Sequence, residues 1–293
     1  PHNLRRQRQM CIRDSLEPFF PRVRDRDDIA VLMDPVTEVI VLSRFDHIDM
    51  EYYNERAETE GYKVWDGVIK PPKLEDNSRR RAEFGRYIKG KRWLDFGSGL
   101  GGMLDEMSGY ADWAVGLEPN EERASICRSK GHEIVASLEM IEDGTLDCIT
   151  LFHVFEHLTD PIGTVQHLMD KLRPGGTLIC EVPHARDALI HTYDCLAFKK
   201  ATFWSEHLVL HTRQSLASLL KSDGFPEIEV NALQRYPLAN HLHWLATGKP
   251  GRQAQWSYLT SSALDREYEA TLSKLDRTDT IFAICKAPKT PAG

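Results

Sequence analysis

Residues 92–183 carry the pattern that most restricts the fold. Short apolar runs alternate there with segments of helical periodicity. The runs are Arg92–Phe96, Trp113–Glu118, Glu133–Val135, Leu146–Phe152 and Thr177–Val182. Helical patterns fill 100–108, 120–130 and 162–172, and Pro174-Gly175-Gly176 stops the last of them. Strands apolar on both faces, each followed by a helix, predict a parallel sheet covered by helices. In such a sheet the ligand sits at the carboxyl ends of the strands, near the first strand and its neighbour.

The first strand runs into Gly97-Ser98-Gly99-Leu100-Gly101-Gly102, which satisfies G-x-G-x-x-G through Gly97, Gly99 and Gly102. Glycines let the backbone turn sharply into a helix and approach a ligand closely, without saying which ligand. Asp95, two positions earlier, is more informative. An anion there opposes a pyrophosphate and favours a ligand bearing an amino group. Glu118 ends the second strand, where a carboxylate can accept from both ribose hydroxyls of NAD or of S-adenosylmethionine.

Five segments occur in order: Leu94–Gly101, Gly116-Leu117-Glu118-Pro119, Leu146-Asp147-Cys148-Ile149, His153–Pro161 and Leu172–Gly176. Together they resemble the class I S-adenosylmethionine-dependent methyltransferases, in the family's order and spacing, with flanking similarity from roughly 80 to 287. The resemblance implies a Rossmann-like, seven-stranded, mostly parallel sheet whose last strand is antiparallel. Thr280–Lys286 suits that strand and Glu227–Leu233 its neighbour. It implies S-adenosyl-L-methionine as cofactor, with Asp95, Gly97, Ser98 and Gly99 around the methionyl part. Glu118 would meet the ribose, with Pro119 beside the adenosine, Ser137 and Leu138 flanking adenine, and Phe152, His153 and His157 beside the methionyl chain.

On the acceptor side, Trp204-Ser205-Glu206-His207-Leu208 and the stretch to Gly224-Phe225 resemble a subgroup that includes sugar-modifying methyltransferases. In C-methylating sugar enzymes a Tyr-x-Glu-His cluster supplies the base. Here tryptophan replaces the tyrosine, and Glu206 and His207 remain as candidate catalytic residues. Methyl transfer mainly needs a positioned acceptor and a proton acceptor, which a histidine beside a carboxylate can provide. The same pair also stands where it could cap a helix starting near Thr212. The sugar enzymes' paired-cysteine zinc module and second C-terminal domain have no counterpart in this sequence.

The implied activity is methyl transfer to a small molecule, a sugar or nucleotide-linked sugar, by C- or O-methylation. A phenolic or quinone-like acceptor is the alternative, for which the aromatic stretch 235–245 would serve. A nicotinamide-dependent oxidoreductase would use the same glycine loop, but Asp95 and the turn at 173–176 oppose it. A non-catalytic cofactor-binding module is disfavoured by the intact Asp95, glycine loop and Glu118.

His153-Val154-Phe155-Glu156-His157 matches H-x-x-E-H, an inverted zinc-protease signature. It follows a buried strand and not the middle of a long helix, so no metal is expected from it. His184, His191, His211, His241 and His243 read as surface or capping histidines. Trp204, Trp244 and Trp256 either pack the C-terminal part or line an acceptor pocket.

The remaining organisation is coarser. Residues 1–15 are polar and resemble translated sequencing-adapter read-through, so a functionless tail is expected there. Residues 16–77 form a small appendage with a hairpin over 29–42 turned by Asp34-Pro35-Val36-Thr37, then a helical stretch from Glu51-Tyr52-Tyr53 ended by Lys70-Pro71-Pro72-Lys73. The methyltransferase domain spans 78–288. Within it a helical insertion at 235–277 is placed as a lid or homodimer surface. Thirty-seven Lys+Arg against 44 Asp+Glu leave a net charge of -7, which disfavours nucleic acid. No apolar run of about 18 residues predicts a membrane span. Six scattered cysteines without a C-x-x-C pair suit reduced thiols in a cytoplasmic protein.

Overall fold

The computed structural model describes residues 15–48, 75–222, 224–250, 256 and 258–289. The expected tail 1–14, the Glu51–Lys73 stretch and Cys11 lie outside them.

The chain enters through β1 (Glu17–Phe20), β2 (Val31–Met33) and β3 (Ile40–Leu42). The expected hairpin forms, with Val31 opposite Leu42 and Met33 opposite Ile40. Asp34 explains its turn, since Oδ1 accepts from the amides of Val36 and Thr37 and from the Thr37 hydroxyl. Ser15 donates to the other carboxylate oxygen, so the last residue of the expected tail belongs to this fold. β1, which pairs with β2, has no alternating pattern to announce it.

Next come α1 (Glu75–Ile88), β4 (Arg92–Phe96), α2 (Gly102–Met107), β5 (Trp113–Leu117) and α3 (Glu121–Ser129). Asn120 caps α3 by accepting from the Arg123 amide, as its residue type predicts. β6 (Glu133–Val135), β7 (Leu146–Phe152), α4 (Pro161–Lys171) and β8 (Leu172–Pro183) follow. β8 begins earlier than the glycine turn suggests. Leu172 pairs with Leu146 and Thr177 with Cys148, so residues 173–176 loop out of the ladder, Gly175 taking φ +75°. The rest comprises α5 (Leu196–Thr202), β9 (Val209–Leu210), α6 (Arg213–Ser222), β10 (Glu227–Leu233), α7 (Leu238–Thr247), α8 (Ser262–Lys274) and β11 (Thr280–Lys286).

Seven strands form one sheet in the order β10-β11-β8-β7-β4-β5-β6. The pairs from β8 to β6 are parallel, and β11 runs antiparallel to both of its neighbours. This is the sheet the motif order predicts. Successive residues feed opposite faces: Leu94 and Ile149 join one core cluster, Trp93 and Cys148 the other. Cys127, Cys148, Cys180, Cys195 and Cys285 are unpaired, buried thiols.

A second sheet has the order β1-β2-β3-β9. Ile40 pairs with Leu210 and Val41 with Val209, so a strand from beyond β8 completes the N-terminal sheet. Phe20, Ile29, Val31 and Leu42 share a cluster with Ala185, Ile190, Phe203 and Leu208. The N-terminal strands are thereby fixed to the segment carrying Glu206 and His207. Among the described residues no helix is long and apolar enough to cross a membrane.

Candidate active site

The carboxyl ends of β4, β5 and β7 open into a cavity of ≈ 1440 Å³. Every residue singled out from the sequence lines it: Asp95, Gly97, Ser98, Gly99, Glu118, Pro119, Ser137, Leu138, Phe152, His153, His157, Glu206 and His207.

At the β4–α2 turn, Gly97, Gly99 and Gly101 all take positive φ, 76°, 54° and 78°. A Cβ on Gly97 would fall 2.5 Å from Val154 Cγ2. Around Gly99 a Cβ would meet nothing within 4 Å, so this backbone faces open space. Such a cradle admits a ligand against the chain itself. Glu118 holds the loop in shape: its two carboxylate oxygens accept from the amides of Gly99 and Asn120, both at 2.9 Å. A carboxylate oxygen can accept more than one hydrogen bond, so these amide bonds do not exclude a ribose hydroxyl.

Asp95 is buried, and burial raises its carboxyl to about 6, against the opposing hydrogen bond from Thr150 Oγ1 at 2.9 Å. Thr150 in turn accepts from Trp93 Nε1. A buried carboxylate with one partner is a strained anion until a cation meets it. An ammonium group suits it and a phosphate does not.

The opposite half of the cavity is polar. His153 has φ +56°, which turns the chain out of β7 and into the single turn Phe155–His157. Arg235 donates to its Nε2, so the proton sits on Nδ1 and is donated to Glu156 Oε1 at 3.1 Å. Burial and the Arg235 charge hold His153 well below the ordinary histidine value. Glu156 is fully buried, and burial pushes its carboxyl up to about 8. The ring of His157 stands 5.1 Å from that of His207, and its Nδ1 lies 3.9 Å from Glu206 Oε2. Burial, and next the adjacent His157, push His207 well below its ordinary value, so its imidazole is neutral at pH 7.

Glu206 and His207 do not cap the next helix. Thr212 and Ser215 do, in a reciprocal box: the Thr212 amide donates to Ser215 Oγ and the Ser215 amide to Thr212 Oγ1. Of the histidines read as surface or capping, His184, His211 and His241 are instead buried. His184 Nδ1 donates to the Thr278 carbonyl, and His241 is bonded to the Tyr268 hydroxyl. Trp244 packs on Phe198, whereas Trp204 stands edge-on to His157 and His207.

Sequence reasoning missed Arg80, Glu181 and Arg235. Glu181, inside the apolar run of β8, is fully buried and accepts from Arg80 Nε and Nη2 and from Arg79 Nη2. Arg80 also lies over the Phe152 ring, 4.6 Å from its centroid. Arg235 is aimed inward because Asp279, at the start of β11, accepts from the amides of Arg235 and Tyr236. A carboxylate inside an apolar strand and the run Arg79-Arg80-Arg81 were the available signals.

A methyltransferase-domain family model matches residues 72–230. The ubiquinone biosynthesis O-methyltransferase of Aliivibrio fischeri is 27% identical over 97 residues, 30% of this chain and 42% of that protein. The match therefore spans about two fifths of that relative's length. Among solved structures, an S-adenosylmethionine-dependent methyltransferase from Archaeoglobus fulgidus superposes with TM-score 0.51 at 20% identity. It covers 72% of this chain and 92% of its own. Phosphoethanolamine N-methyltransferase 2 of Haemonchus contortus, solved with S-adenosyl-L-methionine, gives TM-score 0.51 at 16% identity, covering 82% and 60%. These structures share the fold, and the family match takes in more than half of the chain, from α1 into β10. The protein belongs to the methyltransferase-domain family.

Proposed function

We propose that the enzyme methylates a hydroxyl of a small, oxygen-rich acceptor, a sugar or nucleotide-linked sugar being the first class. The observation that carries this is one cavity with two chemically distinct halves. Asp95, the Gly99 cradle and Glu118 form one half; Glu156, His157, Glu206 and His207 form the other.

S-adenosylmethionine, when bound, supplies an electrophilic methyl group. Asp95 would answer its ammonium group, Glu118 its ribose hydroxyls, and Ser137 and Leu138 would flank the base. Ser98, Pro119, Phe152, His153 and His157 complete the proposed lining. On the acceptor side Glu206 and His207 are the proposed catalytic groups. They would orient the hydroxyl and receive its proton, which water cannot do as well in a closed pocket. His207, neutral at pH 7, acts through its lone pair.

A phenolic acceptor is the second reading, and the name of the Aliivibrio fischeri relative favours it. A panel of sugar nucleotides and catechols, assayed for S-adenosylhomocysteine release, separates the two. The His207→Gln variant should lose turnover at least tenfold and keep cofactor affinity. Unchanged turnover would remove His207 from the chemistry.

A further inference from the structure

We propose that Glu156, His157 and His207 form a site for one divalent transition-metal ion at the acceptor end of the cavity, zinc being its best-matched occupant. The inference rests on the proposed acceptor half and revises one role there: His207 gives its lone pair to the metal, so Glu206 alone receives the acceptor's proton.

One ligand atom from each of the three side chains lies within 4.8 Å of the other two. A tetrahedral zinc site has ligand edges of roughly 3.3 Å, from bonds of roughly 2.0–2.1 Å. Small side-chain rotations close that difference. Two imidazoles and a carboxylate form a set that suits zinc or iron; calcium and magnesium prefer oxygens throughout.

The donor atoms are in a state that a cation would relieve. Glu156 is fully buried, and its Oε2 has no hydrogen-bond partner. His207 Nδ1 is likewise buried without a partner. Leaving such atoms unsatisfied is costly, and buried polar atoms without partners are rare. The surroundings hold the ligands in place. Glu156 Oε1 is taken by His153 Nδ1, which leaves Oε2 as the uncommitted oxygen of the carboxylate. His157 Nε2 is on the Glu156 side, 3.9 Å from Oε1, while Nδ1 is 3.9 Å from Glu206 Oε2. Glu206 thus stands beside the outer nitrogen of His157, about 1 Å beyond hydrogen-bond length, where a small approach would let a carboxylate orient a ligating histidine.

The motif His153–His157 does not supply this site alone. Both ring nitrogens of His153 are engaged, Nε2 by Arg235 and Nδ1 by Glu156, and the residues 155–157 form a single 3₁₀ turn. The third ligand comes from the segment between α5 and β9. Three protein ligands leave a fourth position open, as catalytic sites do. An acceptor hydroxyl oxygen bound there would be acidified, its proton passing to the Glu206 carboxylate as the oxygen becomes the nucleophile.

The test uses the full chain, stripped with a chelator and titrated with Co²⁺ as the probe, without acceptor. The expected result is one Co²⁺ per chain, with four- or five-coordinate visible bands that Zn²⁺ abolishes. His207→Gln and Glu156→Gln should each weaken uptake at least tenfold while S-adenosylhomocysteine still raises Tm. Absent uptake, or uptake indifferent to both variants, overturns the site. If either variant loses its cofactor response through misfolding, the wild type decides. Its Co²⁺ form must show a pair of paramagnetically shifted, exchangeable imidazole N–H resonances, and their absence overturns the site. Cofactor response without Co²⁺ uptake rejects the metal alone. Co²⁺ uptake without cofactor response rejects the proposed methylation and leaves the metal standing.

Discussion

Asp95 sets the terms at the scale of single residues. Its carboxyl is held near 6 by burial, so the folded protein binds a proton there that the unfolded chain, with a value near 3.8, has released. Native binding of the extra proton makes stability fall as pH rises from about 4 to about 6, then level off. Asp95→Asn keeps an acceptor for Thr150 and removes the desolvated charge. At pH 7–8 the variant should be more stable than the wild type by on the order of 2 kcal/mol, a gain that vanishes near pH 4. Urea unfolding at the two pH values checks this, and the same variant should lose its response to S-adenosylhomocysteine. Gly97→Ala makes the complementary point. A methyl group at φ +76°, 2.5 Å from Val154, forces the loop to move, so cofactor affinity should fall at least tenfold in a binding titration. Asp95 and Gly97 were legible in the sequence because they are local: a charge and a turn at fixed offsets from a strand. Arg235 was not. It reaches His153 only because Asp279, 44 positions away along the chain, orients the backbone at the start of the insertion.

At the scale of elements, α1 is joined to the sheet by charge as well as by Phe84 and Ile88. Arg80 is almost fully buried beside Glu181, which is itself inaccessible. Removing Arg80 leaves the buried Glu181 to Arg79, whose guanidinium is partly exposed. Arg80→Met should still cost about 3 kcal/mol in denaturant unfolding, far more than loss of a surface ion pair. A cost below 1 kcal/mol would mean that water reaches Glu181. The N-terminal strands present a second element-scale lesson. The hairpin turn was readable from Asp34 and the apolar runs beside it. Its pairing with β9 was not, because a two-residue strand has no periodicity to read. Leu42 donates to the Leu208 carbonyl and Arg24 to that of Phe203, so the hairpin and the Glu206–His207 segment form one cooperative unit. Hydrogen exchange should show the amides of Val31, Leu42 and Leu208 opening with one common free energy. Separate opening energies would mean that the N-terminal sheet holds the acceptor loop only loosely.

Over the whole molecule, the parallel strands follow from the alternation of strand and helix, whereas the strand order and the antiparallel β11 were expected from the resemblance to the methyltransferase family. What could not be read is how the two sheets share a cavity. That depends on Glu156, His157 and His207 converging from the turn after β7 and the segment before β9, some 50 positions apart. The insertion between β10 and β11 adds α7 and α8, with Arg235 at its root facing inward and Tyr258 exposed. Lid closure there would bring Tyr236 and Arg235 nearer the acceptor, and chemical shifts of α7 that respond to added acceptor would mark it. The account depends most on the cofactor half of the cavity. The direct measurement is a thermal-shift titration of the full chain with S-adenosylhomocysteine and, separately, with NADH. Selective binding to the folded state predicts a Tm that climbs with S-adenosylhomocysteine concentration, stays flat with NADH, and is flat with both in Glu118→Ala. Stabilisation by NADH, or no response to S-adenosylhomocysteine in the wild type, would contradict it.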